Sequence, residues 1–260
     1  MPTLFDISAG GTSPRIFRGI TTATLAPITP PGGDPYFSYV SLLLHFDYFS
    51  VPDAIAFWKL DNLLDSSGND NTLVNHDGVS FVLGKFGNAA SFDGSNFLGM
   101  DGNQSPLFNP SGTFSVSFWA YPTTLYNYGA FISGGSNTFY GFNIHTSSDG
   151  TLYFNNAQSG DCSVSNVFAE NTWHHMVCMK DGPNNALIVY KNGVEIYNQE
   201  ASQSYGTQFD RITIGGFRYS TGGSIAQAQI GKIDSVGLWN RLLTEEEIGV
   251  LYNSGNGLEP

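Results

Sequence analysis

The residues best suited to chemistry are oxygen donors crowded into one short segment of the chain. Asp61, Asp65, Asn69, Asp70 and Asn71 fall within eleven positions. Calcium prefers six to eight oxygen ligands from carboxylates, amides and backbone carbonyls. The segment therefore predicts a structural calcium site in which Asp61, Asp65 and Asp70 are carboxylate ligands. The alternative is an Asx-rich turn, in which these side chains cap their own backbone.

Two adjacent histidines, His174 and His175, follow Trp173 in a strand-like run. Consecutive residues of a strand face opposite sides of a sheet, so the two imidazoles cannot converge on one metal ion. We therefore expect a structural role for both. The sequence also contains no P-loop, no nucleophile elbow and no H-E-x-x-H motif.

Glycoside hydrolysis requires a pair of carboxylates about 5 to 9.5 Å apart. Glu195 and Glu200 flank IYNQ beside a predicted hairpin without a third carboxylate, and Glu170 is isolated in the sequence. We therefore predict that the protein is not an enzyme.

Three further glutamates open the strongest helix signal in the sequence, LTEEEIGVLYNSG at 243–255. Thr244 followed by Glu247 forms a capping box. Leu243 and Ile248 are spaced for a hydrophobic staple, and an acidic first turn suits the helix dipole. We therefore assign these glutamates to helix capping rather than to metal binding or catalysis.

The composition favours an all-β protein that binds neither nucleic acid nor membrane. Charged residues make up 12% of the chain, about half the usual share of roughly 25%, and Gly, Phe and Tyr number 31, 20 and 13. Such a composition indicates strands with frequent turns. The net charge of −12 argues against contact with a phosphate backbone. The apolar runs are far shorter than the roughly 20 residues that span a bilayer.

Strand and turn signals recur from residue 55 onward. TFSVSFWA at 113–120 alternates with a period of two, which places Phe114, Val116 and Phe118 on one face. ALIVYKNGVEIY at 186–197 predicts two strands around Asn-Gly, the preferred pair for a type I′ turn. Further strand signals are RITIGG at 211–216 and QIGKIDSVGLW at 229–239.

Large and small apolar side chains complete the predicted core. Trp119, Trp173 and Trp239 each lie in or beside a strand-like run, and we expect them inside a sandwich rather than on a sugar platform. Cys178 also lies in such a run and is expected to be buried. A single bridge between Cys162 and Cys178 is an alternative that needs an oxidising compartment.

A set of segments, taken in order, resembles laminin-G-like, concanavalin A-type jelly-roll domains. These segments are IAFWKLDN, LLDSSGNDNTL, GVSFVLGKFGNAASFDGSN, TFSVSFWAYP, NTWHHMVCMKDG, LIVYKNGVEIY, ITIGG and GKIDSVGLWNRLLTEEEIGVLYNSG. The resemblance covers about residues 54–255. It implies an all-β, two-sheet antiparallel jelly-roll sandwich with one short C-terminal helix. E-x-D-x-E and E-x-D-x-x-E, the catalytic patterns of the glucanases in this family, do not occur here.

The resemblance also implies ligands. Related domains often hold a structural calcium near their termini, and the matching positions here are Asp93 and Asp234. Ser235 stands where the family usually has Glu, so one expected carboxylate is missing. Sugar binding is the other activity of the family, and the loop aromatic residues that could serve it here are Tyr126, Tyr128, Tyr140 and Tyr219.

The N-terminal part of the chain predicts an extended anchoring arm over residues 1–46, followed by the jelly-roll domain over 47–260. Residues 1–35 hold six of the twelve prolines and lack a sustained hydrophobic period, which is typical of a segment without its own core. DPYFSYVSLLLHFD at 34–47 is similar to the opening of jelly-roll segments in tailed-phage structural proteins. Two interpretations of LLLHFD at 42–47 follow. It is a docking strand of the arm, with IAFWKLD at 55–61 as the first strand of the sandwich, or both segments are neighbouring strands of one sheet.

Together these features predict a non-enzymatic virion structural protein, such as a capsid decoration, fibre or tail-associated adhesion module. The arm over residues 1–46 would bind a capsid or tail protein, and the sandwich could bind a host-surface glycan. We expect assembly in the host cytoplasm, because the N-terminus lacks a signal peptide, and homo-oligomers on the particle. The alternative is an extracellular carbohydrate-binding module of a cellular protein.

Overall fold

The structure, a computed structural model, describes most of the chain from Val51 onward. The described residues are 51–101, 112–135, 141–156, 159–201, 211–218 and 225–257, of which 101, 155–156 and 159–161 are described by their backbone alone. The predicted arm over residues 1–46, Tyr140 and Tyr219 lie outside these residues, so the predictions made for them stay predictions.

The described residues form seventeen strands and one α-helix. The strands are β1 (Ala56–Trp58), β2 (Val74–His76), β3 (Ser80–Leu83), β4 (Asn88–Asp93), β5 (Phe97–Asp101), β6 (Phe114–Pro122), β7 (Gly129–Gly135), β8 (Phe142–Thr146), β9 (Leu152–Asn156), β10 (Ser159–Val164), β11 (His174–Asp181), β12 (Ala186–Lys191), β13 (Val194–Glu200), β14 (Arg211–Ile214), β15 (Phe217–Arg218), β16 (Ile225–Ala226) and β17 (Ile230–Trp239). The helix is α1 (Glu245–Tyr252), and a short 3-10 turn, Asn253–Gly255, follows it.

Two antiparallel sheets form the sandwich, which confirms the predicted fold class. Sheet A has the order β13-β12-β11-β6-β17-β4-β3, and β1 also pairs with β17. Sheet B has the order β10-β9-β8-β7-β14-β5-β2. A separate two-stranded pair joins β15 to β16. The arrangement is that of a jelly roll, in which strands adjacent in sequence often lie in different sheets.

The inner faces of the two sheets form the main core. The alternation predicted for β6 is confirmed, because Phe114, Val116 and Phe118 are all fully buried there. The ring of Phe114 lies 5.4 Å from that of Phe142 on sheet B, and the ring of Phe118 lies 5.7 Å from that of Phe131. Each such side chain contributes about 1.5 to 3 kcal/mol by burial. Aromatic pairs between the sheets therefore hold the sandwich together.

A second apolar cluster lies on the outer face of sheet A. It contains Val51, Phe57, Val177, Met179, Tyr190, Trp239, Leu243, Ile248 and Leu251. Residues from α1 and from the segment before it contribute to this cluster, so they cover a sheet face that would otherwise contact water. The sandwich therefore has apolar cores on both sides of sheet A.

The tryptophans are distributed differently from the prediction. Trp239 is buried in the outer cluster, and Trp119 is buried on the same outer face, with its ring 6.0 Å from that of Tyr252. Trp173 is only half-buried. Trp58 is the described tryptophan that lies between the sheets. Trp119 and Trp239 are therefore core residues as expected, but they lie in the second buried layer under α1 and its flanking residues, and Trp173 does not belong to a core.

The helix begins as the sequence predicts. Thr244 Oγ1 accepts a hydrogen bond of 3.2 Å from Glu247 N, and Glu247 Oε2 accepts one of 2.9 Å from Thr244 N. The same carboxylate receives two hydrogen bonds of 2.7 Å from the Arg241 guanidinium. Capping therefore accounts for Glu247. Among the described residues, no helix is long and apolar enough to cross a membrane.

Both cysteines are buried, and neither is part of a disulfide. Cys162 on β10 and Cys178 on β11 lie in the inter-sheet core, so the alternative of a bridge is not realised in this structure. Burial raises the pKa of the Cys178 thiol well above its ordinary value, and the neighbouring Cys162 adds to this effect. The two side chains act as small apolar residues, as expected for Cys178.

Candidate functional site

The aspartates predicted to bind calcium are mostly engaged by backbone N–H groups. Asp65 Oδ1 accepts hydrogen bonds from Phe57 N at 2.9 Å and Ser67 N at 2.8 Å, and its Oδ2 accepts one from Asn71 N at 3.0 Å. Burial alone would raise the pKa of Asp65, but these hydrogen bonds outweigh it and the pKa is lowered. Asp65 therefore ties the loop after β1 to the open edge of that strand, which is the Asx-turn alternative.

Asp61 and Asp234 meet at the turn between β3 and β4. Asp61 Oδ1 accepts a hydrogen bond of 2.6 Å from Asn88 N. Asp234, which is fully buried, accepts hydrogen bonds from Lys85 N at 2.7 Å and Phe86 N at 3.0 Å through Oδ2. Two carboxylates from distant parts of the chain therefore hold one tight turn.

The remaining two aspartates lie apart, Asp93 at the end of β4 and Asp70 in the loop between β1 and β2. Asp93 Oδ1 accepts hydrogen bonds from Ser95 N and Oγ, both at 2.8 Å, and Asp70 is exposed. Across the described ranges, no three His, Cys, Asp or Glu side chains are grouped so that they could hold a metal ion. The five carboxylates on their own therefore do not fit a calcium site, and structural calcium stays a prediction from the sequence.

The two adjacent histidines face opposite sides of sheet A, as expected. His174 Nε2 lies 3.2 Å from Ala169 O, whereas the His175 ring packs on Trp119 at 5.1 Å. His175 Nε2 also lies 3.0 Å from Ser117 Oγ, the spacing of a nucleophile and its base. Both of these side chains are buried, and burial lowers the pKa of His175 to about 3. A substrate cannot reach this serine in the structure, so the pair is a packing contact.

The outer face of sheet B carries a row of three rings, Tyr128, His145 and Tyr153, here called the aromatic row. His145 on β8 and Tyr153 on β9 are direct cross-strand partners, and their rings stack at 5.0 Å with an interplanar angle of 9°. Tyr128, which immediately precedes β7, packs on the other side of His145 at 5.7 Å. Three neighbouring strands therefore position one continuous aromatic surface.

The aromatic row is most open at Tyr128. The Tyr128 side chain is 58% exposed, whereas His145 is only 5% exposed and Tyr153 is half-buried. Tyr128 also adopts a left-handed backbone conformation with φ of 68°. That conformation costs a residue other than glycine roughly 1 to 2 kcal/mol. An exposed aromatic residue held in a strained conformation is typical of a binding site.

Amide side chains lie next to the row on the same face. Asn143, two residues before His145 on β8, donates a hydrogen bond of 2.9 Å from Nδ2 to Gln227 Oε1. In the described part of the chain, Asn143 Oδ1 and His145 Nδ1 are buried without a hydrogen-bond partner. Buried polar atoms of this kind call for an explanation, and a ligand is one.

The imidazole of His145 is neutral at physiological pH. Burial lowers its pKa to about 4, so one ring nitrogen carries a proton and the other is an acceptor. Together with the Asn143 amide it offers donors and acceptors without a net charge. The surface suits a polar, uncharged ligand with one apolar face.

The four tyrosines predicted from the sequence are not all brought together. Tyr126 lies on the other side of β7, the side that Thr146 also faces. A Cβ placed on Gly129 would lie 3.5 Å from the Tyr126 ring and 3.4 Å from Thr146 Cγ2, so both side chains are on that side of the sheet. Thr146 follows His145 along β8 and so faces away from the aromatic row. Burial also raises the pKa of Tyr126 to about 12. Of Tyr126 and Tyr128, the two predicted tyrosines that the structure describes, only Tyr128 belongs to the aromatic row.

Sequence reasoning missed His145, Tyr153, Asn143 and Gln227. One signal was available in FNIHT at 142–146, where polar Asn143 and His145 alternate with buried apolar residues. A strand with a polar face that is nevertheless buried is unusual in a sandwich. The pairing of His145 with Tyr153 could not be predicted from the sequence, because it depends on the register between β8 and β9.

Comparison with known proteins agrees with this fold. A family model described as the concanavalin A-like lectin/glucanases superfamily matches residues 98–249. Domain 4 of the extracellular arabinanase AbnA from Geobacillus stearothermophilus, solved in complex with arabinotriose, has a TM-score of 0.60 and 18% identity. The alignment covers 79% of this chain and 98% of that domain.

A second group of similar structures consists of botulinum neurotoxin binding domains. The DC toxin domain in complex with SialylT has a TM-score of 0.60 and 20% identity, and covers 78% of this chain and 51% of its own. Another structure comes from work on botulinum neurotoxin type C, whose cell entry depends on interaction with two ganglioside molecules. It has a TM-score of 0.59 and 18% identity, and the alignment covers 78% of this chain and 51% of that chain. This chain thus spans about half the length of these toxin domains. No curated protein matches its sequence.

Proposed function

Because the chain belongs to the concanavalin A-like lectin/glucanases superfamily, we propose that it contains a glycan-binding domain whose ligand lies on the aromatic row. The observation that carries the proposal is the contiguous row of Tyr128, His145 and Tyr153, next to buried polar atoms that have no partner among the described residues. Similar folds that were solved with arabinotriose or with SialylT support a saccharide as the class of ligand.

The chemistry of the aromatic row fits a sugar ring. The C–H face of a pyranose or furanose packs against tyrosine rings, and its hydroxyl groups exchange hydrogen bonds with amides and neutral imidazole. Asn143 Oδ1 and His145 Nδ1 are buried on this face without a hydrogen-bond partner among the described residues, so a sugar would first contact the exposed Tyr128 ring beside them. Because these groups are uncharged, a neutral glycan fits better than an acidic one.

We propose binding without catalysis. Among the glutamates considered from the sequence, Glu170 accepts a hydrogen bond of 2.8 Å from Leu125 N, and Glu195 one of 3.2 Å from the Tyr190 hydroxyl. Neither carboxylate belongs to the aromatic row. A screen of polysaccharide hydrolysis with the intact protein tests this part of the proposal, and measurable turnover would contradict it.

Glycan binding is tested by an array screen of the full chain, followed by calorimetric titration with each glycan that binds. We expect Tyr128→Ala and Tyr153→Ala each to weaken binding about tenfold or more, or about 1.4 kcal/mol. The matched control is Tyr121→Ala, since Tyr121 is a half-buried tyrosine on the opposite sheet. Silence of the wild-type protein across a broad array would refute the function, whereas equal loss in all three variants would refute the site.

A more specific proposal, a role in a virion, rests on the predicted arm over residues 1–46. Residues 1–46 are rich in proline, lack their own hydrophobic period and run into a segment similar to those of tailed-phage structural proteins. We propose that they anchor the domain to a capsid or tail protein, so that the protein is a virion decoration, fibre or adhesion module. Deletion of residues 1–46 should leave a folded sandwich that no longer joins the particle. Normal incorporation would favour the alternative, an extracellular module of a cellular protein.

A further inference from the structure

The outer face of sheet A carries a second line of side chains, outside the apolar cluster under α1. Here called the cationic row, it consists of Trp173 just before β11, Tyr121 on β6, Lys232 on β17 and Ser91 on β4. Tyr121 is the direct cross-strand partner of Lys232, and Lys232 is that of Ser91. The adjacent residues Ala120 and Ile233 belong to the inter-sheet core, so alternation directs the row away from it.

The rings of Trp173 and Tyr121 form a partly exposed aromatic pair. Their centroids are 5.3 Å apart, and both side chains are half-buried, whereas the other three tryptophans are buried. The Lys232 ammonium lies 4.6 Å from the centroid of the Tyr121 ring and 5.4 Å from that of Trp173. Trp173 therefore serves neither core, and it is placed beside a positive charge on the surface of the sheet.

The Lys232 ammonium has hydrogen-bonding capacity left for a ligand. Of its three N–H donors, one is directed to Leu83 O at 3.2 Å. Among the described residues, no carboxylate lies within ion-pair distance of this ammonium or of that of Lys85. Lys85 lies on the same face, 4.8 Å above the Trp119 ring. Two cations are therefore concentrated here, although the chain has a net charge of −12.

Two carboxylates lie close to the row in sequence and register. Asp234, two residues after Lys232 on β17, is buried, and its Oδ2 accepts two backbone N–H groups of the turn between β3 and β4. Asp93, two residues after Ser91 on β4, is exposed, and its Oδ1 accepts hydrogen bonds from Ser95. Asp93 is therefore the carboxylate that would oppose an anionic ligand on this face.

We propose that the cationic row binds a sugar that carries a carboxylate, of the uronic or sialic acid type. The C–H face of the sugar packs on the exposed parts of Trp173 and Tyr121, and the Lys232 ammonium donates a hydrogen bond to the carboxylate. The Ser91 hydroxyl lies on the next strand for a sugar hydroxyl. In such sugars the carboxylate is attached to the ring, which matches a cation only 4.6 and 5.4 Å from the two aromatic rings.

Calorimetric titration of the full chain with trigalacturonate and with sialyllactose tests the site and separates the two types of acid. We expect binding of at least one of them, and binding about tenfold or more weaker for its methyl ester, which keeps the ring and loses the charge. Added salt should weaken the binding of the acid more than that of the ester. Binding of neither acid, equal binding of acid and ester, or equal binding of oligoglutamate would overturn the proposal.

Variants of the row locate the ligand. Lys232→Gln and Trp173→Ala should each weaken binding of the acidic sugar about tenfold or more, and Lys232→Arg should retain it. The matched control is Lys191→Gln, which removes the same charge from the opposite face of sheet A, because Lys191 alternates with the core residue Val189. Circular dichroism melts establish that each variant is folded. An equal loss in Lys191→Gln would mean that only net charge matters and would overturn the site.

Asp93→Asn provides a change of opposite sign. Asparagine retains the Asx turn with Ser95 and removes the opposing charge, so binding of the acidic sugar should strengthen about twofold to fivefold. Weaker binding would contradict the placement of the ligand. The inference does not rest on the aromatic row: Tyr128→Ala should bind the acidic sugar as the wild type does, and Lys232→Gln should keep its affinity for a neutral glycan. Tyr121→Ala therefore remains a control for neutral glycans alone.

Discussion

The outer faces of the two sheets differ in chemistry although both are largely buried. On sheet A the outer side chains include Val177, Met179 and Trp239, and α1 covers them as a second apolar core. On sheet B the buried outer side chains include Asn143, His145 and Thr213. Burial on sheet A is therefore mainly apolar, with Ser117 and His175 as buried polar exceptions, whereas burial on sheet B encloses mostly polar groups.

This difference has an energetic consequence. Apolar burial stabilises by about 25 cal/mol for each Å² removed from water, whereas a buried polar group without a hydrogen bond costs roughly 1 to 3 kcal/mol. Within the described residues, Asn143 Oδ1 and His145 Nδ1 on sheet B belong to the second class, and so do His175 Nδ1 and Trp239 Nε1 on sheet A. The faces differ instead in their cover, because residues of α1 pack over sheet A, whereas the aromatic row on sheet B ends in the exposed Tyr128 ring. The part of the outer face of sheet A under α1 is therefore expected to serve stability, and the aromatic row on sheet B to serve ligand binding.

The largest expected effect is on the face of sheet A. Trp239→Ala removes a fully buried indole from the cluster under α1 and should lower the free energy of unfolding by about 3 to 5 kcal/mol. Urea denaturation followed by fluorescence measures this loss. Glycan affinity of the folded variant should equal that of the wild type, and a parallel loss of affinity would show that the two faces are coupled.

A smaller and pH-dependent effect is expected at His145 on sheet B. The folded-state pKa is lowered to about 4 from 6.5, so the unfolded chain takes up a proton first as the pH falls. Stability is therefore fully retained above pH 6.5 and declines toward pH 4, by on the order of 2 to 3 kcal/mol in total. His145→Gln should remove this decline, which denaturation at a series of pH values would detect.

His175 on sheet A provides the control for that measurement. Burial lowers its pKa to about 3, so it adds a decline of the same sign that persists in the His145→Gln protein. His175→Gln should remove the part of the stability decline at low pH that is due to His175, and it should leave glycan affinity unchanged. An unchanged pH profile in His145→Gln would mean that this imidazole is hydrated and titrates in the folded protein.

Features that depend on neighbours in sequence were predicted well. The period of β6, the capping box at Thr244 and the turn at Asn192-Gly193 each need only a few consecutive residues, and Asn192 and Gly193 do adopt positive φ angles of 51° and 77°. The family resemblance added the sandwich itself. Local rules of this kind predict where strands, turns and helices lie in the sequence. They do not predict which face of a sheet is covered by another part of the chain.

Features that depend on pairing between distant strands were not predicted. Asp234 holds the turn at Lys85, 149 positions earlier, and no spacing rule connects them. The outer location of Trp119 requires knowledge that Tyr252 and its neighbours fold over sheet A. Likewise Tyr128 was found as a loop aromatic residue, but its stacking on His145 follows from the β7–β8 register.

Tyr128→Gly gives the smallest expected change in stability and separates the two faces most clearly. Glycine adopts a φ of 68° without strain, which recovers roughly 1 to 2 kcal/mol, while its freedom in the unfolded chain costs about 0.5 to 1 kcal/mol. The free energy of unfolding should therefore stay within about 1 kcal/mol of the wild type, although an aromatic side chain is lost. Glycan binding should weaken about tenfold or more, as in Tyr128→Ala, because the most exposed ring of the aromatic row is gone. A protein that lost stability as Trp239→Ala does would mean that Tyr128 supports the fold, and its strained backbone would then need a structural rather than a functional explanation.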